Sequence, residues 1–182
     1  MEESINPEGQ KLLLKLARST IAGKLEIDEP TPEIKPVPPF SSPRGAFVTL
    51  RKSGRLRGCI GTFSTQNPLK KTVEEMAQAA AFQDPRFPPL RPEEFPEIEL
   101  EISALTPMRQ VESVEEIEVG RHGIYIVQGF NSGVLLPQVA TENNWDRKTF
   151  LEQTCFKAGL NHDCWRSEET RIFVFSAQVF GE

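Results

Sequence analysis

Residues 97–104 read Glu-Ile-Glu-Leu-Glu-Ile-Ser-Ala, and this stretch decides the fold class. An apolar residue occupies every second position, and glutamate or serine occupies the positions between. Because successive side chains of a strand point to opposite faces, the pattern predicts a strand with one buried and one solvated face. Such half-solvated strands are typical of antiparallel sheets, since parallel sheets are usually covered on both faces.

The segment before this strand predicts a β-hairpin. Two runs with strand character, 45–50 and 56–63, flank the turn-like sequence Lys52-Ser53-Gly54-Arg55. Three later segments have the same apolar and β-branched character. Strands are therefore also predicted at 123–128, at 133–136 and at 171–180, the last as one central strand with apolar residues on both faces.

Helices are predicted from capping signals and from apolar residues at helical spacing. Asn6-Pro7 and Asn67-Pro68 each join a side-chain cap to a proline that needs no amide hydrogen in the first turn. The first signal predicts a helix over 7–23, and the second predicts a helix that ends before Asp84. Ser113 is expected to cap a short helical turn through Ile117, and further helices are expected after Pro137 and at about 147–158.

A proline-rich connector follows the first helix. Residues 28–43 hold six of the chain's 15 prolines, which favour extended backbone and cannot donate to a continuous ladder. Apolar residues are interspersed there, so the connector is expected to wrap the core. Strands and helices do not alternate as βαβ units, so the sequence predicts one α+β domain over 1–182 with mostly antiparallel sheet and flanking helices.

Composition narrows the classes of function. The formal net charge of -5 opposes the phosphate backbone of nucleic acids, which proteins bind mainly through lysine and arginine. No apolar run approaches the ~18 residues that span a bilayer, and the acidic start of the chain lacks the features of a signal peptide. Three cysteines, an odd number, do not form a disulfide framework, so a reducing, cytoplasmic location is expected.

The run Leu56-Arg57-Gly58-Cys59-Ile60-Gly61 is the strongest candidate for a functional site. In a regular strand Arg57 and Cys59 share a face, where a guanidinium favours the reactive thiolate. Gly58 and Gly61 leave room for a ligand or another backbone to approach the sulfur. Two alternatives stay open: a bulge at Gly58 would break the shared face, and a buried cysteine can simply fill a core.

Other candidates are weaker. Cys155, His162 and Cys164 could ligate a metal, but their spacing is not a usual zinc pattern and provides no fourth ligand, so no metal site is predicted. His122 could act as a base, although a histidine in a turn is usually solvated. Glu99 and Glu101 lie on one strand face, where acid–base catalysis is conceivable, but the solvated face of an amphipathic strand explains them better.

Several segments together resemble the AMMECR domain family, whose prokaryotic members are called AmmeMemoRadiSam system protein A. The hexapeptide 56–61 resembles the Leu-Arg-Gly-Cys-Ile-Gly signature of that family. Other matching segments follow in the family's order, from about Ile5 to Phe180. They are Asp84-Pro85-Arg86-Phe87, Glu99-Leu100-Glu101-Ile102-Ser103, 133–139, Trp145, 157–160, Trp165 and 173–177. The family usually has leucine where Val134 stands, which is a conservative departure.

The resemblance implies two closely joined lobes with a cleft between them and both termini packing on the larger lobe. It also implies association with a Memo-like protein and with a radical S-adenosylmethionine (SAM) enzyme. The cofactors of those companions do not carry over, because this chain lacks the cysteine cluster of an iron–sulfur site, and no cofactor is expected here. The resemblance supplies no reaction.

Three hypotheses follow for the hexapeptide. The first is a small-ligand or peptide-binding module that works with the companion enzymes. The second is an enzyme in which Cys59 acts as thiolate nucleophile or covalent carrier on a small substrate, with anionic substrates among the options. The third is a purely structural hairpin core. We predict that the ligand-binding residues are Arg57, Gly58, Gly61, Asp84, Arg86 and Phe87, with Cys59 as the candidate catalytic residue.

Overall fold

The computed structural model of the protein describes residues 4–63 and 66–182. The chain divides into two compact units: the first comprises the chain up to Thr106 together with Gln178–Glu182, and the second is Pro107–Ala177. Each unit contains a four-stranded sheet and a hydrophobic core of its own. The predicted α+β class with antiparallel sheets is confirmed.

The elements follow one another along the chain as helices, hairpins and short 3₁₀ segments. The α-helices are α1 (Pro7–Lys24), α2 (Leu69–Phe82), α3 (Pro137–Glu142) and α4 (Arg147–Lys157). The strands are β1 (Ala46–Lys52), β2 (Arg55–Thr62), β3 (Ile98–Leu105), β4 (Arg109–Gln110), β5 (Gly123–Gln128), β6 (Asn131–Leu135), β7 (Arg171–Phe175) and β8 (Ala177–Gly181). The 3₁₀ helices are Pro92–Glu97, Val114–Glu116 and Cys164–Arg166.

The first unit packs α1 and α2 on one face of a sheet with strand order β2-β1-β3-β8. The alternation that predicted β3 is observed: Leu100 and Ile102 are buried, whereas Glu99 is exposed. Val48 and Leu50 of β1 join the same core. The hairpin of β1 and β2 therefore has a helix-covered face, and its other face carries the residues at the alternate positions.

The start of α1 matches the prediction, whereas the cap proposed for α2 is wrong. Asn6 accepts a 2.8 Å hydrogen bond from the amide of Gly9. Asn67 does not cap α2, because its side-chain amide donates to Glu75 Oε2 at 3.0 Å. The backbone carbonyls of Ser42 and Phe40 instead accept from the first amides of α2.

The proline-rich connector thus has a structural role at the start of α2. Ile34 is buried in the core of the first unit and Phe40 packs against it, whereas Val37 is exposed. Carbonyls of the same segment cap the helix, so the connector wraps the core as predicted.

The second unit has strand order β4-β7-β5-β6, with α4 packed against β6. The prediction of one central strand over 171–180 is wrong. The chain forms β7 in the second sheet, leaves regular structure at Ser176, and continues as β8 in the first sheet. Apolar residues on both faces reflect two half-buried strands in different sheets rather than one strand buried on both sides.

The cysteines were not expected to form a disulfide framework, yet one disulfide is present. Cys155 of α4 and Cys164 of a 3₁₀ helix are joined by a disulfide, and both lie in the buried core of the second unit. Cys59 is the free cysteine. Across the residues described, we find no helix with the length and apolar character needed to cross a membrane.

Candidate functional site

Cys59 lies half-buried on β2, which is an edge strand of the first sheet. Its cross-strand partner is Thr49 of β1, and the hydroxyl of Thr49 donates a 3.2 Å hydrogen bond to Cys59 Sγ. Val48 and Leu50 on either side of Thr49 point into the core beneath the helices. The sulfur and the hydroxyl therefore lie on the opposite face of the sheet.

Strand β2 has a β-bulge at Arg57. Leu50 pairs with Gly58 and Arg51 pairs with Leu56, so Arg57 is an extra residue in β2. Alternation then places Leu56, not Arg57, on the face of Cys59. The predicted shared face of Arg57 and Cys59 is wrong for this reason.

Arg57 forms a buried ion pair with Glu94 instead. Its Nε and Nη2 atoms donate to the two oxygens of the Glu94 carboxylate at 2.9 and 3.0 Å. This bidentate pair ties β2 to the 3₁₀ helix Pro92–Glu97, and the hydrogen bonds from Arg57 lower the pKa of Glu94 to about 2. Sequence reasoning missed Glu94, which stands 37 residues from its partner.

The loop after α2 pairs with the free edge of β2 through side chains. Asp84 accepts from the amide of Cys59 at 2.9 Å, and Arg86 Nη2 donates to the carbonyl of Cys59 at 3.1 Å. Arg86 also holds Asp84 through Nε and Nη2, at 2.9 and 2.7 Å. The two side chains occupy backbone groups that a neighbouring strand would otherwise use. We call Asp84 and Arg86, with their bonds to Cys59, the edge clamp.

The edge clamp carries no net charge. The hydrogen bonds from Arg86 hold the pKa of Asp84 well below its usual range, so the carboxylate is ionised and fully engaged. Asp84 is buried, whereas the Arg86 side chain is about half exposed. Phe87 completes the loop: its ring centroid lies 5.9 Å from Arg57 Cζ and 5.6 Å from Arg86 Cζ.

The two glycines of the hexapeptide have packing roles. A Cβ on Gly58 would lie 2.1 Å from the backbone oxygen of Ala80, so α2 packs directly on this point of β2. A Cβ on Gly61 would lie 2.2 Å from the ring of Phe47. Gly58 thus leaves room for the backbone of α2, whereas the sequence left open whether a backbone or a ligand would approach there. A role of either glycine in ligand binding stays a prediction.

A row of polar side chains crosses three strands on the face of Cys59. Thr49 pairs with Cys59 on one side and with Glu101 of β3 on the other. Cys59, Thr49 and Glu101 therefore lie side by side, and we call them the polar row. Sequence reasoning recognised Glu101 as part of a solvated face but had no register to place it beside Thr49.

The remaining candidates belong to the second unit. The disulfide consumes the sulfurs of Cys155 and Cys164, so neither is a thiolate that could ligate a metal as considered above. His122 is buried, and its Nδ1 accepts from the amide of Glu118 at 3.1 Å. His162 is exposed in the loop before the second disulfide cysteine. Within the described ranges, no group of three or more metal-ligating side chains converges.

Among its described residues, the first unit therefore offers a thiol beside a hydroxyl, not beside a base. Its sequence includes no histidine, since the chain's two histidines are residues 122 and 162. Asp84, the carboxylate bonded to the backbone of Cys59, is a poor proton acceptor because its pKa is depressed. The arrangement can present a half-exposed thiol on a rigid surface, and the Thr49 hydroxyl can stabilise negative charge on its sulfur.

The chain matches the AMMECR1 family model over residues 14–180. A protein of Methanopyrus kandleri is 45% identical over 191 residues, which cover 100% of this chain and 92% of that protein. A protein of Methanothermobacter thermautotrophicus is 44% identical over 94% of this chain and 93% of its own length. The crystal structure of an uncharacterized protein from Pyrococcus horikoshii is similar with a TM-score of 0.77 and 39% identity, covering 98% of this chain and 93% of that one.

These similarities extend over nearly the whole chain and exceed the identity at which family membership becomes secure. The protein belongs to the AMMECR1 family, as the hexapeptide and the segments that follow it predicted.

Proposed function

We propose that the protein is a binding module that holds a small ligand or a peptide on the face of β2 that carries Cys59. It acts with a Memo-like protein and a radical SAM enzyme in a modification pathway of the cytoplasm. The companions rest on the family resemblance alone, and the location rests on the cysteine count, an argument that the Cys155–Cys164 disulfide weakens.

The edge clamp is the observation that supports a binding module. Asp84 and Arg86 fix the backbone of Cys59 from both its amide and its carbonyl, so the strand is held rigid where the sulfur is presented. Binding sites benefit from such preorganisation, because less conformational entropy is lost when the ligand binds. A nucleophilic thiol is activated by a base or by a nearby cation, but the Asp84 carboxylate is held by Arg86 and the Arg57 cation is paired with Glu94.

One contact favours the alternative, an enzyme that uses Cys59 as nucleophile or covalent carrier. The hydroxyl of Thr49 donates to Cys59 Sγ, and a hydrogen bond to sulfur stabilises the thiolate that attacks. On this alternative the sulfur itself is indispensable. On the module proposal the sulfur is one contact among several.

Binding to the purified companions separates the two functions. The Kd of the protein for the Memo-like protein and for the radical SAM enzyme is measured for wild type, Cys59→Ser and Asp84→Asn. The module proposal expects Cys59→Ser to stay within a few fold of wild type. Asp84→Asn should weaken binding about tenfold or more, because it removes the charge that fixes the clamp.

Asp28→Asn is the matched control, since Asp28 is an exposed residue of the same unit. Circular dichroism and thermal melting verify that each variant is folded. If wild type binds neither companion, or if Asp84→Asn binds as tightly as Asp28→Asn, the module proposal is wrong. A retained complex in which Cys59→Ser alone stops product formation would instead identify the enzyme.

A further inference from the structure

The polar row brings three different chemical groups into line across the first sheet. The thiol of Cys59, the hydroxyl of Thr49 and the carboxylate of Glu101 follow one another on β2, β1 and β3. Neighbouring strands lie about 4.8 Å apart, so the carboxylate stands roughly 10 Å from the thiol with the hydroxyl between them. Cys59 and Glu101 are partly exposed and Thr49 is buried between them, so a small ligand that spans the row contacts chiefly the thiol and the carboxylate.

Three cations near the row each face a carboxylate other than Glu101. The Arg86 cation is offset by Asp84, and the Arg57 cation is offset by Glu94. Two residues closer to the hairpin turn, Arg51 of β1 lies directly opposite Glu99 of β3. Glu101 thus has no cation directly opposite it on β1, in a chain whose formal net charge is already -5.

Glu101 has no partner among the residues that the structure describes. Within residues 4–63 and 66–182 its carboxylate makes no hydrogen bond and no ion pair, although the residue is half-buried on an interior strand. Glu99, two positions away on the same strand, is exposed and is solvated directly. A cation bound to this partly buried carboxylate would form an ion pair that water and salt screen less than an exposed pair.

From these observations we infer that the polar row binds a positively charged group, an ammonium or a guanidinium. The cation bonds to Glu101, and the carbon chain behind it extends along the row towards Cys59. This inference rests on the proposed binding function and specifies the class of ligand. It replaces the anionic substrate considered from sequence, because the Arg86 charge is already paired with Asp84.

Charged thiol reagents of similar size provide a direct test, because Cys59 is the free cysteine and the other two form a disulfide. The rates of labelling by the ethylammonium and the ethylsulfonate methanethiosulfonates are measured at about 10 mM salt, where screening extends over roughly 30 Å. Each rate is divided by the rate of the same reagent with 2-mercaptoethanol. The corrected ratio of cation to anion rates then reports the potential at the sulfur.

We expect wild type to favour the cationic reagent, and we expect Glu101→Gln to lower the corrected ratio about threefold or more. Glu99→Gln is the matched control and should change the ratio less. Raising the salt to about 0.5 M should move the wild-type ratio towards one without any mutation, which guards against a folding defect in a variant.

Three results would overturn the inference. A corrected ratio that favours the sulfonate identifies a site for anions. Equal effects of Glu101→Gln and Glu99→Gln show that the polar row does not set the potential. If neither reagent labels the folded protein, the Cys59 face is closed to ligands, and the proposed binding function fails together with the inference; either of the first two results leaves that function standing.

Discussion

The two units of this protein stabilise sheets of the same size in different ways. Among the described residues, the buried cluster of the first unit has 23 members and that of the second has 11. The smaller cluster includes the disulfide between Cys155 and Cys164, whereas the larger unit keeps its cysteine free and fastens its edge strand with ion pairs. A small core gains most from a covalent link.

Tight packing of the larger core is tested by Gly58→Ala. The added Cβ would lie 2.1 Å from the carbonyl of Ala80, a backbone atom that cannot move without shifting α2. We expect a loss of about 3 kcal/mol or more in the free energy of unfolding, measured with urea. Gly23→Ala in α1 is the control: no atom lies within 4 Å of the added Cβ there, so it should be neutral or slightly stabilising.

Removal of the disulfide tests how much the smaller unit depends on its covalent link. The bridge spans a sequence separation of 9, and closure of a loop of that length contributes about 2 to 3 kcal/mol. The double variant Cys155→Ala, Cys164→Ala should therefore unfold at a lower urea concentration. Hydrogen exchange should show that protection is lost only at amides of the second unit. Cys59→Ala should leave those amides unchanged. Equal protection in both variants would show that the smaller core needs no link.

The ion pair of the larger unit is tested by pH. Hydrogen bonds from Arg57 lower the pKa of Glu94 to about 2, so the carboxylate stabilises the fold above its unfolded pKa of about 4.3. That contribution is lost as the pH falls through about 2. We expect Glu94→Gln to cost about 1 to 2 kcal/mol at pH 7 and nearly nothing at pH 2. Glu97→Gln, whose ion pair with Lys52 is more exposed, should cost little at either pH.

The sequence predicted those elements whose pattern depends on neighbours along the chain. The alternation of β3 and the cap of α1 require only local residues, and both are observed. The predicted cap of α2 was wrong because the Asn67 side chain bonds to Glu75 instead of to the helix end. Sequence spacing alone does not distinguish between these two partners. The sequence did not predict that the strand is interrupted at Ser176, because an alternating pattern looks the same for one strand as for two consecutive strands.

The structure brings together segments that the sequence singled out, but it pairs their side chains differently, and their role as a functional site stays a prediction. The family resemblance indicated the hexapeptide and the loop from Asp84, and the structure joins them through the backbone of Cys59. The bulge at Arg57 and the partners Glu94 and Glu101 depend on register between strands, which no single segment encodes. The one local signal for Glu94 was its place as the third residue of a helix that begins with a proline, Pro92–Glu97.

The order of strands in the first sheet has a consequence for how the chain can be rebuilt. β3 and β8 are neighbours in that sheet, yet the whole second unit lies between them in sequence. The second unit is thus an insertion at the position of a hairpin loop, and loop-closure entropy grows only slowly with the length of such an insertion. A short designed turn from Leu105 to Ala177 would keep all four strands of the first sheet and both of its helices. The larger unit, with the polar row, would then be a protein of roughly 110 residues, which is an ordinary domain size.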